Sequence, residues 1–435
     1  MLIYSTLHRP LVHSSVLIEN SLKVKHRLLI SPLDPRKSAQ GITLVLDSSM
    51  ATRDNSRETS GTNDDGHEDV ARPCDECLSC TSTSELPRQF YLLTHPRSGS
   101  NLLVHILNLE KQHVITGDDG GGYYFMSYVD KIDEFHVRGK AMNTWAQEQR
   151  AAIRSAADKC YGDLVRDVAK LEAEPGKTMF VKEHCEFLIS PAEHLKGNDS
   201  TFTMRAKTES TQAAVETEPW ILNGGSKSEN NQTLFSDEFL FRWMPTFLVR
   251  HPALAYPSHF RSAKDLAWSN EENLEDDEGL ERLCSLSWIR KLYDFYDEKL
   301  PEAKKQYGDV DWPVVLTGDI VMTEPETLKR FAALARLNMD MLRFQWDPAS
   351  KEKVEKSSKR AKRMYSTLLA STGIDGSKVA GSVDIDAEAL RWREEFGDHA
   401  ASKIEGWVRA AMPDYEYLKV RRLRSAPTFV NGRRV

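Results

Sequence analysis

The chain has 435 residues, of which 40% are hydrophobic and 28% charged, enough to bury a large core in one to three domains. Its 58 basic and 65 acidic residues leave a formal charge of −7, without the basic surplus of a polynucleotide binder. No stretch approaches the roughly 18 uninterrupted apolar residues of a membrane-spanning helix.

In chain order, residues 1–33 carry Arg9, Lys23, Lys25 and Arg27 against the single acid Glu19. That bias is weakly like a transit peptide, but it lacks an amphipathic pattern and reads as an ordinary unstructured terminus. From about Asp34 to Glu85 the sequence is polar and poor in aromatics. It cannot offset the entropy of ordering, so residues 1–87 are expected to be largely disordered. Cys74, Cys77 and Cys80 fall in this segment; three thiols without a fourth ligand make an incomplete metal set, and no metal is expected. With Cys160, Cys185 and Cys284 they suggest a reducing compartment rather than a disulfide framework.

Order is expected to begin at the buried-strand run Gln89-Phe90-Tyr91-Leu92-Leu93, followed by a polar turn. A helix over Asn101–Leu109 then presents Leu102, Leu103, Ile106, Leu107 and Leu109. Further strands are predicted at Thr178–Val181, Thr246–Val249 and Pro313–Leu316, with helices over Thr144–Leu171, Leu283–Lys299 and Pro325–Leu337. This alternation predicts an α/β fold: a three-layer, mostly parallel P-loop-like sheet with helices on both faces, in one domain from residue 88 to 435. Residues 199–236, rich in Ser, Thr, Asn and Glu, read as an insertion or lid. The sequons at Asn198 and Asn231 read as chance, and the acids from Glu271 to Glu281 as a solvated surface.

Two motifs carry chemistry. Thr94-His95-Pro96-Arg97-Ser98-Gly99-Ser100-Asn101-Leu102 lies between the first strand and its helix, where backbone N–H groups and the positive helix end converge on an anion. Gly99 allows close approach, Ser98, Ser100 and Asn101 add side-chain donors, and Arg97 adds charge. The plain alternative is a Ser-capped connection. A Walker A sequence is absent, which disfavours a magnesium-dependent nucleotidase. The second motif is Arg250, at the end of the third strand, with Ser258 eight residues on. Together they could grip a second phosphate at the carboxyl edge of the sheet. A surface salt bridge is the plain alternative for Arg250.

Taken together, these motifs resemble those of the sulfotransferase family. Pro96-Arg97-Ser98-Gly99-Ser100 is similar to its 5′-phosphosulfate loop, and Arg250 with Ser258 to its 3′-phosphate motif. Val181-Lys182-Glu183-His184 resembles the element bearing the family's catalytic histidine. Leu316-Thr317-Gly318-Asp319-Ile320 with Glu324–Leu328 resembles its late strand and helix start. Glu183 stands where Thr is usual and His251 where Asn is common. No Arg-Lys-Gly closing segment is found; the basic run Lys351–Arg363 could replace it, but a solvated helix face is the preferred reading.

The resemblance implies 3′-phosphoadenylyl sulfate (PAPS) as co-substrate, no metal, and a small organic acceptor with a hydroxyl, with an amine or a sugar as the alternative acceptor. It assigns the donor to Arg97, Ser98, Gly99, Ser100, Asn101, Arg250 and Ser258, with Arg97 also catalytic. His184 is the expected general base and His259 its rival. No nucleic-acid or membrane partner is expected, and without an anchor or signal the cytoplasm is the expected site. The alternatives are an ATP-dependent P-loop kinase or hydrolase and a non-catalytic nucleotide-binding relative.

Overall fold

The computed structural model describes residues 88–425 except 118–120, 139, 141, 194–219, 268–273 and 309, together with a short strand pair at Phe429–Val430 and Arg433–Arg434. The N-terminal segment, the Cys74–Cys80 triplet, Asn198 and the first part of the expected insertion lie outside the described residues.

Five strands form one sheet: β1 (Gln89–Thr94), β2 (Val114–Thr116), β3 (Thr178–His184), β4 (Met244–Val249) and β5 (Val314–Thr317). They run in the order β2-β3-β1-β4-β5 and every pairing is parallel, where a mostly parallel sheet was expected. All residues of β1, β3, β4 and β5 are buried. Successive side chains point to opposite faces, so both faces are covered.

Nine helices are needed to follow the site. They are α1 (Ser100–Leu107), α2 (Met126–Glu134), α3 (Gln147–Ala173), α4 (Pro252–Leu266), α5 (Ser287–Glu298), α6 (Pro325–Leu334), α7 (Lys359–Met364), α8 (Ile385–Phe396) and α9 (Asp398–Val420). Register fixes the functional edge: Thr94 lies opposite both His184 and Leu248, and Val249 opposite Thr317. The chain turns outward in both directions from β1, so the carboxyl ends of β1, β3 and β4 frame the crevice where open α/β folds bind ligands.

Several boundaries differ from the sequence expectation. β3 runs through His184 rather than ending at Val181, because Lys182, Glu183 and His184 continue the ladder with β1. β2, three residues long, gave no pattern to read. The helix expected over Leu283–Lys299 breaks at Cys284 between Glu278–Leu283 and α5. Within residues 220–236, Trp220, Leu234 and Phe235 are buried and Leu234 N–H donates to Leu188 O at 2.7 Å. Three apolar anchors outweigh the polar composition around them. Asn231 is buried there, its amide donating to Phe235 O at 2.9 Å and Asp237 Oδ1 at 2.8 Å. Asp277, in the acidic stretch, caps a helix by accepting from Leu280 N–H at 2.7 Å.

The part beyond residue 337, which matched no motif, is integral to the fold. α9 packs on α4, β4 and β5, α8 packs on α9, and Leu423 N–H donates to Val315 O at 2.7 Å.

Candidate active site

The turn after β1 is built from two left-handed residues, Arg97 (φ 63°) and Gly99 (φ 94°), which reverse the chain so that α1 starts at Ser100. Left-handed backbone costs a non-glycine residue roughly 1–2 kcal/mol, so the strain at Arg97 has to be held by its contacts. A Cβ on Gly99 would meet nothing within 4 Å, so the glycine is required by its φ and faces open space. Ser98 is fully buried and its Oγ has no protein partner. A buried unpartnered hydroxyl beside a helix N-terminus fits an anion placed in this turn.

Arginines gather over the same turn. Arg97 Nε donates to Ser258 Oγ at 3.0 Å, and its Nη1 donates to Met364 O at 3.1 Å. Arg250 Nη1 donates to Arg97 O at 3.3 Å and Nη2 to Lys378 O at 2.9 Å, while its buried Nε has no partner. Arg250 is half-buried and braces the loop, in place of the surface salt bridge that was the alternative. Burial, then Arg363 and Arg250, lower Arg97 from the usual guanidinium range to about 10. Cations crowded this closely favour a bound polyanion. The fold thus joins Arg97, Arg250 and Ser258 in one cluster with Ser98, Gly99 and Ser100. Ser258 sits in the second turn of α4, directly after the interior Pro257, rather than at the helix start.

Supporting residues explain the motif's departures. His251 Nδ1 accepts from Ala253 N–H at 3.2 Å and caps α4, the task an Asn performs in that position. His95 Nε2 accepts from Arg250 N–H at 3.1 Å, tying the end of β4 to the loop; burial lowers its pKa to about 4 and keeps it neutral. Thr317 caps the next helix turn, and Asp319 Oδ1 accepts from Ala380 N–H at 2.8 Å, holding the segment whose Lys378 carbonyl receives Arg250. A Cβ on Gly318 would stand 3.0 Å from Arg250 Cγ, so this glycine is needed for close approach. The basic run Lys351–Arg363 is not wholly a solvated face: α7 packs on α4 and delivers Arg363 and Met364 to Arg97. Within the run Arg363 pairs with Asp265 of α4 and Arg360 with Asp130 at 2.9 Å, while Met364, whose carbonyl bonds Arg97, lies one residue past its end.

His184 closes β3, 9% exposed. Thr94 Oγ1 donates to Glu183 O at 3.1 Å and lies 2.6 Å from His184 Nδ1. With the Thr94 proton committed to that carbonyl, Nδ1–H is the donor to Thr94 and Nε2 carries the lone pair. Tyr123 O–H reaches Nε2 at 3.1 Å. Burial first, then Lys182, hold His184 well below the usual imidazole range. His259 is buried in α4 and lowered to about 3, chiefly by burial and then by Arg97.

Sequence reasoning gave no role to Lys182, Tyr123 or Gly122. Lys182, 1% exposed, projects from the same strand face as His184; its Nζ donates to Asn101 Oδ1 at 2.6 Å and lies 4.4 Å from the Tyr123 ring centroid. Asn101 therefore spends its carbonyl on Lys182. A Cβ on Gly122 would stand 2.6 Å from Lys182 Cε, so the glycine makes room for this side chain. Period-two spacing from His184 was the available clue to Lys182. Glu183 points to the other face, where Oε1 accepts from Phe125 N–H at 3.0 Å and fixes the segment carrying Tyr123.

These buried groups give stability a pH optimum. His95 and His105 are lowered to about 4 and His259 to about 3, by burial foremost, while burial raises Glu183 to about 8. Below an unfolded histidine pKa of about 6.5 the unfolded chain takes up protons that the folded chain refuses, so stability is lost as pH falls towards 4. Glu183 acts oppositely: above about 4.3 its unfolded carboxyl ionises while the folded one stays neutral, so its share is lost as pH rises towards 8. Melting temperature should therefore peak near pH 6.5. Glu183→Gln should remove an alkaline-side decline of about 2 kcal/mol between pH 6.5 and 8. An unchanged decline in the variant would show that Glu183 is ionised in the fold.

The fold and its cationic edge define an open parallel α/β protein with a turn after its central strand over which arginines gather. Sulfotransferase ppzF of Metarhizium majus (strain ARSEF 297) is 35% identical over 348 residues, covering 78% of this chain and 98% of that protein. Sulfotransferase ppzF of Metarhizium rileyi (strain RCEF 4871) is 34% identical over 346 residues, covering 78% and 97%. The chain belongs to this sulfotransferase family. No protein-family model matches it, and no solved structure matches it significantly. Among the described residues no helix is long and apolar enough to cross a membrane.

Proposed function

We propose that the chain transfers a sulfuryl group from PAPS to a hydroxyl of a small organic acceptor. The observation that carries this reading is the single edge shared by a cationic turn and a neutral histidine whose Nε2 is unprotonated. Arg97 and the loop of Ser98, Gly99 and Ser100 would hold the 5′-phosphosulfate, and Arg250 with Ser258 the 3′-phosphate. Ser98 Oγ and Arg250 Nε, both buried without a protein partner, suit such oxygens.

In the reaction the acceptor oxygen attacks sulfur, the bond from sulfur to the 5′-phosphate oxygen breaks, and that oxygen keeps the electron pair. His184 Nε2 takes the acceptor proton, and Nδ1–H stays bonded to Thr94. Charge grows on the leaving phosphate oxygen, where Arg97 and Lys182 would stabilise it electrostatically. The balance is hydroxyl plus PAPS giving sulfate ester, 3′,5′-adenosine bisphosphate (PAP) and a proton.

Calorimetry with PAP and with ATP tests this directly. PAP is expected to bind without magnesium and more tightly than ATP, and turnover is expected to survive excess EDTA. Tighter ATP binding with a strict magnesium requirement would replace this reading with a kinase or hydrolase. PAP binding without turnover on any hydroxyl would point to a non-catalytic relative.

A further inference from the structure

The position that an acceptor hydroxyl needs on His184 is held by a hydroxyl of the chain itself. Nδ1–H donates to Thr94, which leaves the ring a single lone pair, on Nε2, and the Tyr123 phenol oxygen lies 3.1 Å from it. The Tyr123 ring stands 5.0 Å from the His184 ring and 5.8 Å from that of Phe187. Backbone contacts on both sides fix it there. Gly122 pairs with Lys182 of β3 in a parallel bridge, and Phe125 N–H donates to Glu183 Oε1 at 3.0 Å.

The same phenol borders the donor side of the site. Lys182 Nζ lies 4.4 Å from the Tyr123 ring centroid and donates to Asn101 Oδ1 of the donor loop at 2.6 Å, so one ammonium touches both. If sulfur is delivered to a hydroxyl seated on Nε2, it is delivered to the atom already in that seat. A nucleophile oriented on its base in advance avoids the entropic cost of bringing in a separate reactant. Burial raises the phenol well above its usual range, so it is neutral, and its proton leaves through Nε2.

We infer that Tyr123 is a self-sulfation site: with PAPS bound and no external acceptor, its phenol becomes the sulfuryl acceptor. Tyr123 Oη attacks sulfur, the bond from sulfur to the 5′-phosphate oxygen breaks with its electron pair on that oxygen, and the phenolic proton passes to His184 Nε2. The products are Tyr123 O-sulfate, PAP and a proton. The new ester is anionic and forms beside Lys182, whose charge stabilises it. It also fills the seat on Nε2, so a modified chain has no base open to an external hydroxyl. The inference rests on the sulfuryl-transfer reading for the donor and on the contact between Tyr123 and His184 for the site.

The test incubates the full chain with radiolabelled PAPS and no acceptor, and measures the label retained on the denatured protein. Wild type is expected to take up label until it is stoichiometric with the chain. Tyr123→Phe should take up none. Tyr124→Phe, which removes the neighbouring phenol bonded to Asp167 Oδ2 at 2.6 Å, should label like wild type. His184→Ala should slow labelling by about 10²–10⁴-fold, the contribution of a general base. Calorimetric binding of PAP shows that each variant keeps its site, and peptide mass spectrometry of wild type locates the sulfate without any variant. Sulfate on another residue, or label that persists in Tyr123→Phe, would overturn the assignment to Tyr123. An unchanged rate in His184→Ala would overturn the route through Nε2. A wild-type chain that binds PAP but takes up no label would overturn self-sulfation. Sulfation of added 4-nitrophenol by that same preparation would then show the sulfuryl-transfer reading standing without it. A chain that binds no PAP would end both.

Discussion

Replacing His184 by alanine is expected to lower kcat by about 10²–10⁴-fold, the usual contribution of a general base, with little change in PAPS affinity. The separation of effects follows from the geometry. His184 bonds Thr94 and Tyr123, whereas the arginine cluster is braced through Ser258, Met364 and Lys378. The pH profile carries a second signature. An unperturbed histidine would give an acid limb in kcat/KM near 6.5, but burial and Lys182 move this ring well below its usual range. The wild-type limb should therefore lie below pH 6.5, with a flat rate from there towards pH 9, and His184→Ala should lose the limb. Rates for both proteins with one acceptor across pH 4.5–9 decide it. A variant that keeps its rate and profile would remove His184 from the chemistry. His259 would then need a route to solvent that its burial does not provide.

The second large effect is expected at Arg250. A charge-assisted hydrogen bond contributes about 1.5–3 kcal/mol, so Arg250→Ala should raise the Kd for PAP roughly 10- to 150-fold. Adenylyl sulfate, which lacks the 3′-phosphate, separates recognition from bracing. The variant should bind it about as well as wild type does if Arg250 acts on the 3′-phosphate. Equal losses for both nucleotides would instead show that Arg250 matters through its bonds to the Arg97 and Lys378 carbonyls. Ser258→Ala should weaken PAP in the same selective direction, although its loss also frees Arg97 Nε.

Much of this was legible in the amino-acid sequence because it depends on local pattern. Short runs such as Phe90-Tyr91-Leu92-Leu93 and Thr246-Phe247-Leu248-Val249 are buried on both faces, and that burial is written in continuous apolar residues. The turn Pro96–Ser100 declares itself by a glycine and hydroxyls between strand and helix, since only certain residues suit a left-handed bend under a helix N-terminus. Arg250 and Ser258 are separated by a spacing that the end of one strand and its following helix fix.

Other features were decided only when distant segments met. α7 was read as a solvated basic face, because charge density says nothing about which helix lies opposite; its contact with α4 brings Met364 to Arg97 across 267 positions of sequence. The polarity of residues 220–236 concealed Trp220, Leu234 and Phe235, of which Phe235 packs on Phe125 and Tyr161 and Trp220 on Trp145, all from distant segments. The protonation of His184 is likewise a tertiary property. The parallel register that sets Thr94 against His184 chooses the tautomer, and burial beside Lys182 sets the basicity. The occupation of Nε2 by Tyr123 required β3, the Gly122 crossing and the Glu183 anchor at Phe125 to coincide. Sequence pattern fixes what each segment prefers locally, but proximity between residues far apart in the chain is set by packing, and a buried group's charge follows from that proximity.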